Sequence, residues 1–156
     1  MSTDRVSVST TVSASPDAVY ALVSDVTRYG EWSPENVSGV WLDGATKGAV
    51  GSRFKGKNKR RVSWTTTSKV TKAEPGKVFE FETGKGPDTR WRYELRAIDG
   101  GGTEVTETVE ILEEPGSLMR FLTKIGTGVA WDERMADLER GMRATLDGIR
   151  ATAQRV

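Results

Sequence analysis

The hydrophobic period of the sequence changes near Pro115, and this change restricts the possible folds more than any other feature. Before Pro115, apolar and polar residues alternate in short segments that are separated by glycine and proline turns. After it, apolar residues recur every three or four positions. A period of two is typical of half-buried strands, and the longer period is typical of an amphipathic helix. The sequence therefore predicts an α+β fold in which a sheet precedes a long helix.

Seven segments alternate in the manner of strands. They are residues 5–14, 37–42, 50–58, 61–72, 77–83, 89–98 and 103–111. The short turns between the last six favour an antiparallel meander. The helical stripe consists of Leu118, Leu122, Ile125, Val129, Trp131, Met135, Leu138, Met142, Leu146 and Ile149. The glycines at 126 and 128 can bend this helix.

A capped helix and an unusual aromatic segment lie between the first two strands. Ser15 and Pro16 are residue types that begin helices. Tyr29 and Trp32 follow in a segment that Gly30 interrupts. The sequence pattern by itself gives these two rings no core to join.

Composition and charge exclude several classes of function. The chain has 156 residues, which predicts one domain spanning 1–156, and its net charge of +1 argues against nucleic acid as a partner. No apolar run approaches the roughly 20 residues of a membrane span, so we expect no stable membrane insertion. The first residues lack the features of a signal peptide, so we expect a cytoplasmic location. The absence of cysteine and histidine argues against disulfides, metal sites, cofactors and imidazole or thiolate catalysis.

Six short motifs follow one another along the chain, and a family resemblance rests on their order and spacing. They are SPDAVYALVSDVTRYGEW at 15–32, GSRFKGKN at 51–58, WTTTSKV at 64–70, GKVFEF at 76–81, TRWRYEL at 89–95 and GGTEVTETVE at 101–110. Together they resemble the SRPBCC, or START-like, helix-grip superfamily, which includes START lipid-transfer domains, the birch pollen allergen and bacterial polyketide cyclase/dehydrase-like proteins. The resemblance implies a curved antiparallel sheet of about seven strands wrapped around a long C-terminal helix. It also implies two short helices after the first strand and a hollow that binds apolar small molecules.

The strand period assigns a strongly aromatic face to the interior. The residues predicted to line a hollow are Phe54, Asn58, Trp64, Thr66, Phe79, Phe81, Trp91 and Tyr93, with Met135 from the helical stripe. For any one of these rings, a place in a packed core is the more common role. As a set, wide aromatics on one concave surface favour a ligand-binding cavity. In a helix-grip fold the short helices close one end of the sheet, which implies that Trp32 touches the ligand at the cavity mouth and that Tyr29 is structural.

Glu107 shares an apolar strand face with Val105, Val109 and Ile111. A carboxylate in such a position must be paired, hydrated or protonated, because burial of a bare charge costs too much. It either lies at a sheet rim or in a structural ion pair, or it lines the hollow with Asn58 and Tyr93. In the second case Glu107 and Tyr93 are candidate catalytic or ligand-orienting groups.

A basic stretch runs from Lys47 to Lys72 and contains no acidic residue. Six of its cations are crowded into residues 53–61. Such a run is most often a solvated face that protects an edge strand, although it can also attract an anionic partner.

The sequence is compatible with three functions, and it does not determine the oligomeric state. The first is binding of a lipid-like or polyketide-like molecule in the hollow. The second is a polyketide cyclase or dehydratase in which Glu107 is the base and Tyr93 is the hydrogen-bond donor. The third is a stress-associated module that contacts another protein through the basic hairpin.

Overall fold

Seven strands form one antiparallel sheet in the computed structural model, which describes residues 5–84 and 88–155. The strands are β1 (Arg5–Val12), β2 (Asn36–Trp41), β3 (Arg53–Lys59), β4 (Ser63–Glu74), β5 (Val78–Thr83), β6 (Thr89–Ala97) and β7 (Thr103–Ile111). Their order across the sheet is β1-β7-β6-β5-β4-β3-β2. The predicted seven-stranded antiparallel sheet and its meander are confirmed. The predicted domain range of 1–156 also includes residues 1–4, 85–87 and 156, which lie outside the described residues.

Two short helical segments and two longer helices complete the fold. They are α1 (Pro16–Val23), a 3₁₀ helix (Val26–Glu31), α2 (Ser117–Thr127) and α3 (Trp131–Gln154). The Ser15 hydroxyl accepts a hydrogen bond from the Ala18 amide at 3.2 Å, which caps α1 as the sequence predicts. The expected bend in the C-terminal helix is a complete break. Gly128 has a φ of 80° and ends α2, because this left-handed conformation cannot continue a helix.

The helix α3 packs against β1 and β7 and buries its apolar stripe there. Met142, Leu146 and Ile149 are almost completely shielded from solvent on the helix side. Val8, Val105 and other small apolar side chains of the sheet join the same cluster. No helix within residues 5–84 and 88–155 combines the length and the apolar character needed to cross a membrane.

Glycine allows the 3₁₀ helix to lie directly against β2. A Cβ atom added to Gly30 falls 2.1 Å from the Val37 carbonyl oxygen, and one added to Gly39 falls 2.3 Å from the Val26 carbonyl oxygen. Both obstacles are backbone atoms, which cannot rotate out of the way. These two glycines therefore fix the distance between the short helix and the edge of the sheet.

We expect Gly30→Ala to destabilise the protein by about 2 kcal/mol or more, because the added methyl group displaces backbone. Gly141→Ala is the matched control, since the nearest atom to its added Cβ is Pro34 Cγ at an ordinary 3.6 Å. In the interior of α3 this control is expected to be neutral or to stabilise by up to about 1 kcal/mol. Urea unfolding of both variants measures the difference. Equal stability of the two variants would contradict the close backbone contact.

Candidate functional site

A cavity of about 880 Å³ lies between the concave face of the sheet and the helices α2 and α3. Strands β3 to β7 supply one wall, and residues 33–36 close one side. The alternation of the strands determines this lining. In β3, for example, Phe54, Gly56 and Asn58 are buried, whereas the residues between them are exposed. A chamber of this volume is within the usual range for small-molecule sites.

The walls of the cavity are mainly aromatic and aliphatic. They include Tyr29, Phe54, Trp64, Phe81, Trp91, Tyr93, Ile111, Met119, Leu122, Trp131, Leu138 and Met142. Phe54 and Phe81 contact each other edge to face, with ring centroids 5.0 Å apart. Trp64 and Trp91 are only partly buried, so part of each indole surface is left uncovered by protein. The cavity therefore presents apolar surface that a ligand can cover.

Glu107 lies on β7 in the wall of this cavity and is 3% exposed. Its neighbours across the sheet are Val8 on β1 and Tyr93 on β6. The Tyr93 hydroxyl donates a hydrogen bond to Glu107 Oε2 at 3.2 Å. The other carboxyl oxygen, Oε1, is buried and has no hydrogen-bond partner within residues 5–84 and 88–155. The structure thus places Glu107 in the cavity wall and not at a sheet rim, and among the described residues it has no ion-pair partner.

Burial raises the pKa of Glu107 from its usual 4.5 to about 8, and the hydrogen bond from Tyr93 offsets only part of that rise. The carboxyl group is therefore largely protonated at neutral pH. Burial, together with the nearby Glu107 carboxyl, also raises the pKa values of Tyr29 and Tyr93 well above their usual 10. At neutral pH this part of the wall consists of an uncharged acid beside two uncharged phenols.

A chain of amide and hydroxyl groups forms a second polar area of the wall. Asn36 Nδ2 donates to Asn58 Oδ1 at 3.2 Å, and Asn58 Nδ2 donates to Thr66 Oγ1 at 3.3 Å. Asn36 Oδ1 is buried and accepts no hydrogen bond from the described part of the chain. This part of the wall therefore holds an amide oxygen whose acceptor capacity is unused among the described residues.

Four charged side chains form an ionic cluster at the α3 side of the cavity: Glu35, Arg60, Arg134 and Asp137. Arg134 lies 2.6 Å from Asp137 and 2.9 Å from Glu35. Arg60 lies 3.0 Å from Asp137 and 3.2 Å from Glu35. Burial would raise the pKa of Asp137, but hydrogen bonds from the two arginines outweigh burial and lower it. Two cations therefore face two anions at hydrogen-bond distance, and the exposed Arg140 lies 3.7 Å from Asp137 at the edge of the cluster.

One end of the cavity is lined by exposed apolar residues. Val62, Met119, Leu122 and Ile125 are each 47–55% exposed and also belong to the cavity lining. The amide groups of Arg61 and Val62 donate to the Gly126 carbonyl, which ties the end of α2 to the turn between β3 and β4. We take this end, which α2 and that turn border, as the mouth of the cavity.

The structure brings most of the predicted site residues together around one chamber. Those in the lining are Phe54, Asn58, Trp64, Thr66, Phe81, Trp91, Tyr93 and Glu107. Three predicted residues, Trp32, Phe79 and Met135, lie outside the lining, and for these the expectation was wrong.

Trp32 packs against α3 and not against the cavity. Its indole nitrogen donates to Thr152 Oγ1 at 3.0 Å, and its side chain occupies the space that the absent Cβ of Gly148 leaves. Tyr29, which was expected to be structural, is the ring of this segment that reaches the cavity wall. Its ring lines the cavity, while its hydroxyl donates to the Val23 carbonyl at 2.5 Å. The structure therefore places Tyr29, and not Trp32, in the cavity wall.

Phe79 and Met135 lie outside the cavity lining for different reasons. Phe79 is fully buried at the closed end of the sheet, where it contacts Tyr20 edge to face at 6.3 Å. Met135 lies beside Arg134 on α3, and it is Arg134 that faces the cavity.

Sequence reasoning missed the ionic cluster because Glu35, Arg60 and the pair on α3 are distant from one another in the chain. The only local signal is the i,i+3 spacing of Arg134 and Asp137.

The basic stretch does not act as one surface. Lys55, Lys57 and Lys59 are exposed, as a solvated face requires. Arg53 pairs with Asp43 at 2.8 Å. Arg60 turns into the cavity and joins the ionic cluster, which corrects its assignment to the solvated hairpin. Among residues 5–84 and 88–155, no group of three or more acidic residues is placed to hold a metal ion.

Together, the fold and the cavity define a helix-grip protein, in which a curved antiparallel sheet holds a long C-terminal helix and encloses a chamber of ligand size. Residues 3–154 match the family model described as polyketide cyclase / dehydrase and lipid transport. The chain therefore belongs to this family, and the resemblance seen in the sequence is confirmed.

The chain is also similar to individual proteins. It is 32% identical over 107 residues to an uncharacterized protein of Mycobacterium tuberculosis, an alignment that covers 68% of this chain and 47% of the relative. The chain thus spans about half the length of the curated relatives it matches. The solution structure of the polyketide-cyclase-like protein Cgl2372 from Corynebacterium glutamicum is 29% identical, with a TM-score of 0.61 and coverage of 94% and 88% of the two chains.

A second solved structure shows the same fold at lower identity. It is the Zhui aromatase/cyclase from a Streptomyces species, which is 18% identical with a TM-score of 0.68. The match covers 97% of this chain and 93% of that one.

Proposed function

We propose that the protein binds a hydrophobic small molecule, lipid-like or polyketide-like, in the cavity between the sheet and α3. The observation that carries this proposal is the aromatic-lined chamber of about 880 Å³. Protein interiors are normally packed with few voids larger than a water molecule. An apolar chamber of this size is therefore expected to bind an apolar occupant. The family description, which includes lipid transport, supports the same class of ligand.

The distribution of polar groups favours a ligand with an apolar body and few polar atoms. Around the aromatic walls, the carboxyl, guanidinium and amide side chains are gathered at Glu107, at the Asn36–Asn58 amides and at the ionic cluster, and the other polar side chains of the lining carry neutral hydroxyl groups. The four charges of the cluster are already paired with one another. A strongly charged ligand therefore finds little compensation here, and a mainly apolar ligand fits better.

We expect Thr66→Phe to weaken binding of a neutral apolar dye, N-phenylnaphthylamine, by about tenfold or more, because the added ring occupies the cavity. Thr66 lines the cavity, whereas the adjacent Thr65 points outward and is exposed. Thr65→Phe is therefore the matched control and is expected to bind the dye as the unmodified protein does. Fluorescence titration measures the three dissociation constants.

Two results would contradict the proposal. The first is that the unmodified protein shows no saturable binding of the dye. The second is that Thr66→Phe and Thr65→Phe bind it equally well, because binding would then occur on a surface and not in the chamber. Native mass spectrometry of the purified protein gives independent support if it detects a bound apolar molecule that Thr66→Phe lacks.

A cyclase or dehydratase activity is the second candidate, and the contact between Tyr93 and Glu107 favours it. With a pKa of about 8, Glu107 is only about one-tenth ionised at pH 7. At neutral pH it is therefore better suited to donate a proton, as loss of water from a substrate requires, than to act as the base expected from the sequence. If this activity exists, its rate should fall as Glu107 ionises above pH 8.

A further inference from the structure

The Glu107 carboxyl is a deeply buried acid of the cavity lining that has no cationic partner among residues 5–84 and 88–155. It is 3% exposed, and Tyr93 Oη at 3.2 Å is its hydrogen-bond partner. Its Oε1 atom accepts and donates nothing within residues 5–84 and 88–155. A buried polar atom without a partner costs free energy, so the site gains stability when a ligand supplies that partner.

The cations of the cavity do not serve Glu107. Arg60 and Arg134 are each bound by Glu35 and Asp137. Another cation of the lining, Arg140, is exposed and lies 3.7 Å from Asp137. The groups that face Glu107 are the phenol of Tyr93 from β6, the phenol of Tyr29 from the 3₁₀ helix and the apolar Val8 from β1. In these surroundings Glu107 is stable as an uncharged acid, which has one O–H to donate and a carbonyl oxygen that accepts.

We infer that Glu107 and Tyr93 form a subsite for an uncharged oxygen function of the ligand, such as a ketone, ester or hydroxyl group. This inference rests on the proposed binding function and specifies the ligand class. Such an oxygen accepts the Glu107 O–H, and the terminal torsion of the side chain is soft enough to turn either carboxyl oxygen toward it. A ligand carboxylate would be buried here without a cation, which is unfavourable.

The test compares ligands of equal chain length that differ in one polar group. Methyl octyl ketone, decanol, decanoate and decylamine each compete with N-phenylnaphthylamine at neutral pH. We expect the ketone and the alcohol to compete about tenfold better than decanoate, the difference that one buried hydrogen bond to the ligand provides. Decylamine is included because an amine would bind best if Glu107 acted as an anion.

Three variants test whether Glu107 causes the preference for the ketone and the alcohol. Glu107→Leu is expected to abolish the preference for the ketone and alcohol while it still binds the dye. Glu107→Gln keeps an uncharged donor and acceptor, so it is expected to keep the preference. Glu104→Gln is the matched control, because Glu104 is on the same strand but pairs with Arg96 on the opposite face.

The outcomes separate this inference from the proposed function. The inferred subsite is wrong if the dye binds but all four ligands compete equally, or if Glu107→Leu keeps the preference for the ketone and alcohol. In either case the proposed binding in the cavity still holds. Strongest competition by decylamine or decanoate also overturns the inferred subsite. If the unmodified protein does not bind the dye, the proposed function fails and the subsite fails with it.

Discussion

The free energy of unfolding is expected to fall by roughly 1.4 kcal/mol per pH unit between about pH 5 and pH 7, and Glu107→Gln is expected to abolish most of this fall. The cause is the difference between the pKa of Glu107 in the folded protein, about 8, and its usual value of 4.5. Between these two values the folded state holds a proton on Glu107 that the unfolded state releases. Rising pH therefore favours unfolding in this interval.

The sign and the size of the effect follow from this pKa difference. A group whose pKa is raised by folding contributes its full stability below the unfolded pKa, and this contribution is lost as the pH rises toward the folded pKa of about 8. Over the whole interval the loss amounts to roughly 5 kcal/mol, after which stability levels off. Glutamine stays uncharged at every pH, so the variant is expected to be more stable than the unmodified protein above pH 8.

The composition of the chain makes this measurement unusually direct. The sequence contains no histidine, which is the side chain that ordinarily titrates in the same interval. Tyr29 and Tyr93 beside Glu107 stay uncharged there, because their pKa values lie well above 10. Urea unfolding at a series of pH values measures the effect, with Glu104→Gln as the control for loss of an exposed carboxylate. Parallel pH curves for the unmodified protein and Glu107→Gln would contradict a protonated Glu107.

The strands and their inward faces were predictable because each depends on local alternation. Once Tyr93 and Glu107 are assigned to the inner faces of neighbouring antiparallel strands, a contact between them requires only the correct register, and the structure pairs them directly. The sequence also shows that Glu107 interrupts an apolar face. Whether such a carboxyl is ion-paired or protonated depends on which cations reach it, and strand periodicity carries no information about that.

The parts of the site that depend on helix rotation and on contacts distant in sequence were not predictable. An aromatic in a loop can face either of two neighbouring surfaces, and Gly148 on α3 determines the choice for Trp32 by leaving room for its ring. The cavity-facing side of α3 lies along one edge of its apolar stripe, where Arg134 and Asp137 are located. Their partners Glu35 and Arg60 are about a hundred and about eighty residues away in the chain, so no window of sequence contains the cluster.

The ionic cluster holds three parts of the fold around the cavity. Glu35 precedes β2, Arg60 lies in the turn after β3, and Arg134 and Asp137 belong to the first turns of α3. Because α3 and this turn both border the cavity, the cluster positions the helix over the aromatic wall. It therefore links the stability of the protein to the shape of the chamber.

Arg134→Met is expected to destabilise the protein by about 3 kcal/mol, because it removes the largely buried cation that bonds to both Glu35 and Asp137 and leaves Arg60 as the remaining cation that contacts both carboxylates. The Arg134 and Asp137 side chains are 11% and 8% exposed, so water compensates little of the charge that remains. Arg143→Met is the matched control on the same helix. Arg143 pairs with Glu139, but both side chains are about half exposed, and the expected change is within about 0.5 kcal/mol.

A second substitution distinguishes the loss of charge balance from the loss of packing. Adding Glu35→Gln to Arg134→Met leaves Arg60 and Asp137 as a neutral pair 3.0 Å apart. We therefore expect the double variant to lose less stability than the sum of the two single variants, with a coupling energy of about 1–3 kcal/mol. Strict additivity in urea unfolding would show that the cluster acts only through packing. Dye binding by the same variants then tests the link to the chamber, because a displaced α3 is expected to weaken binding together with stability.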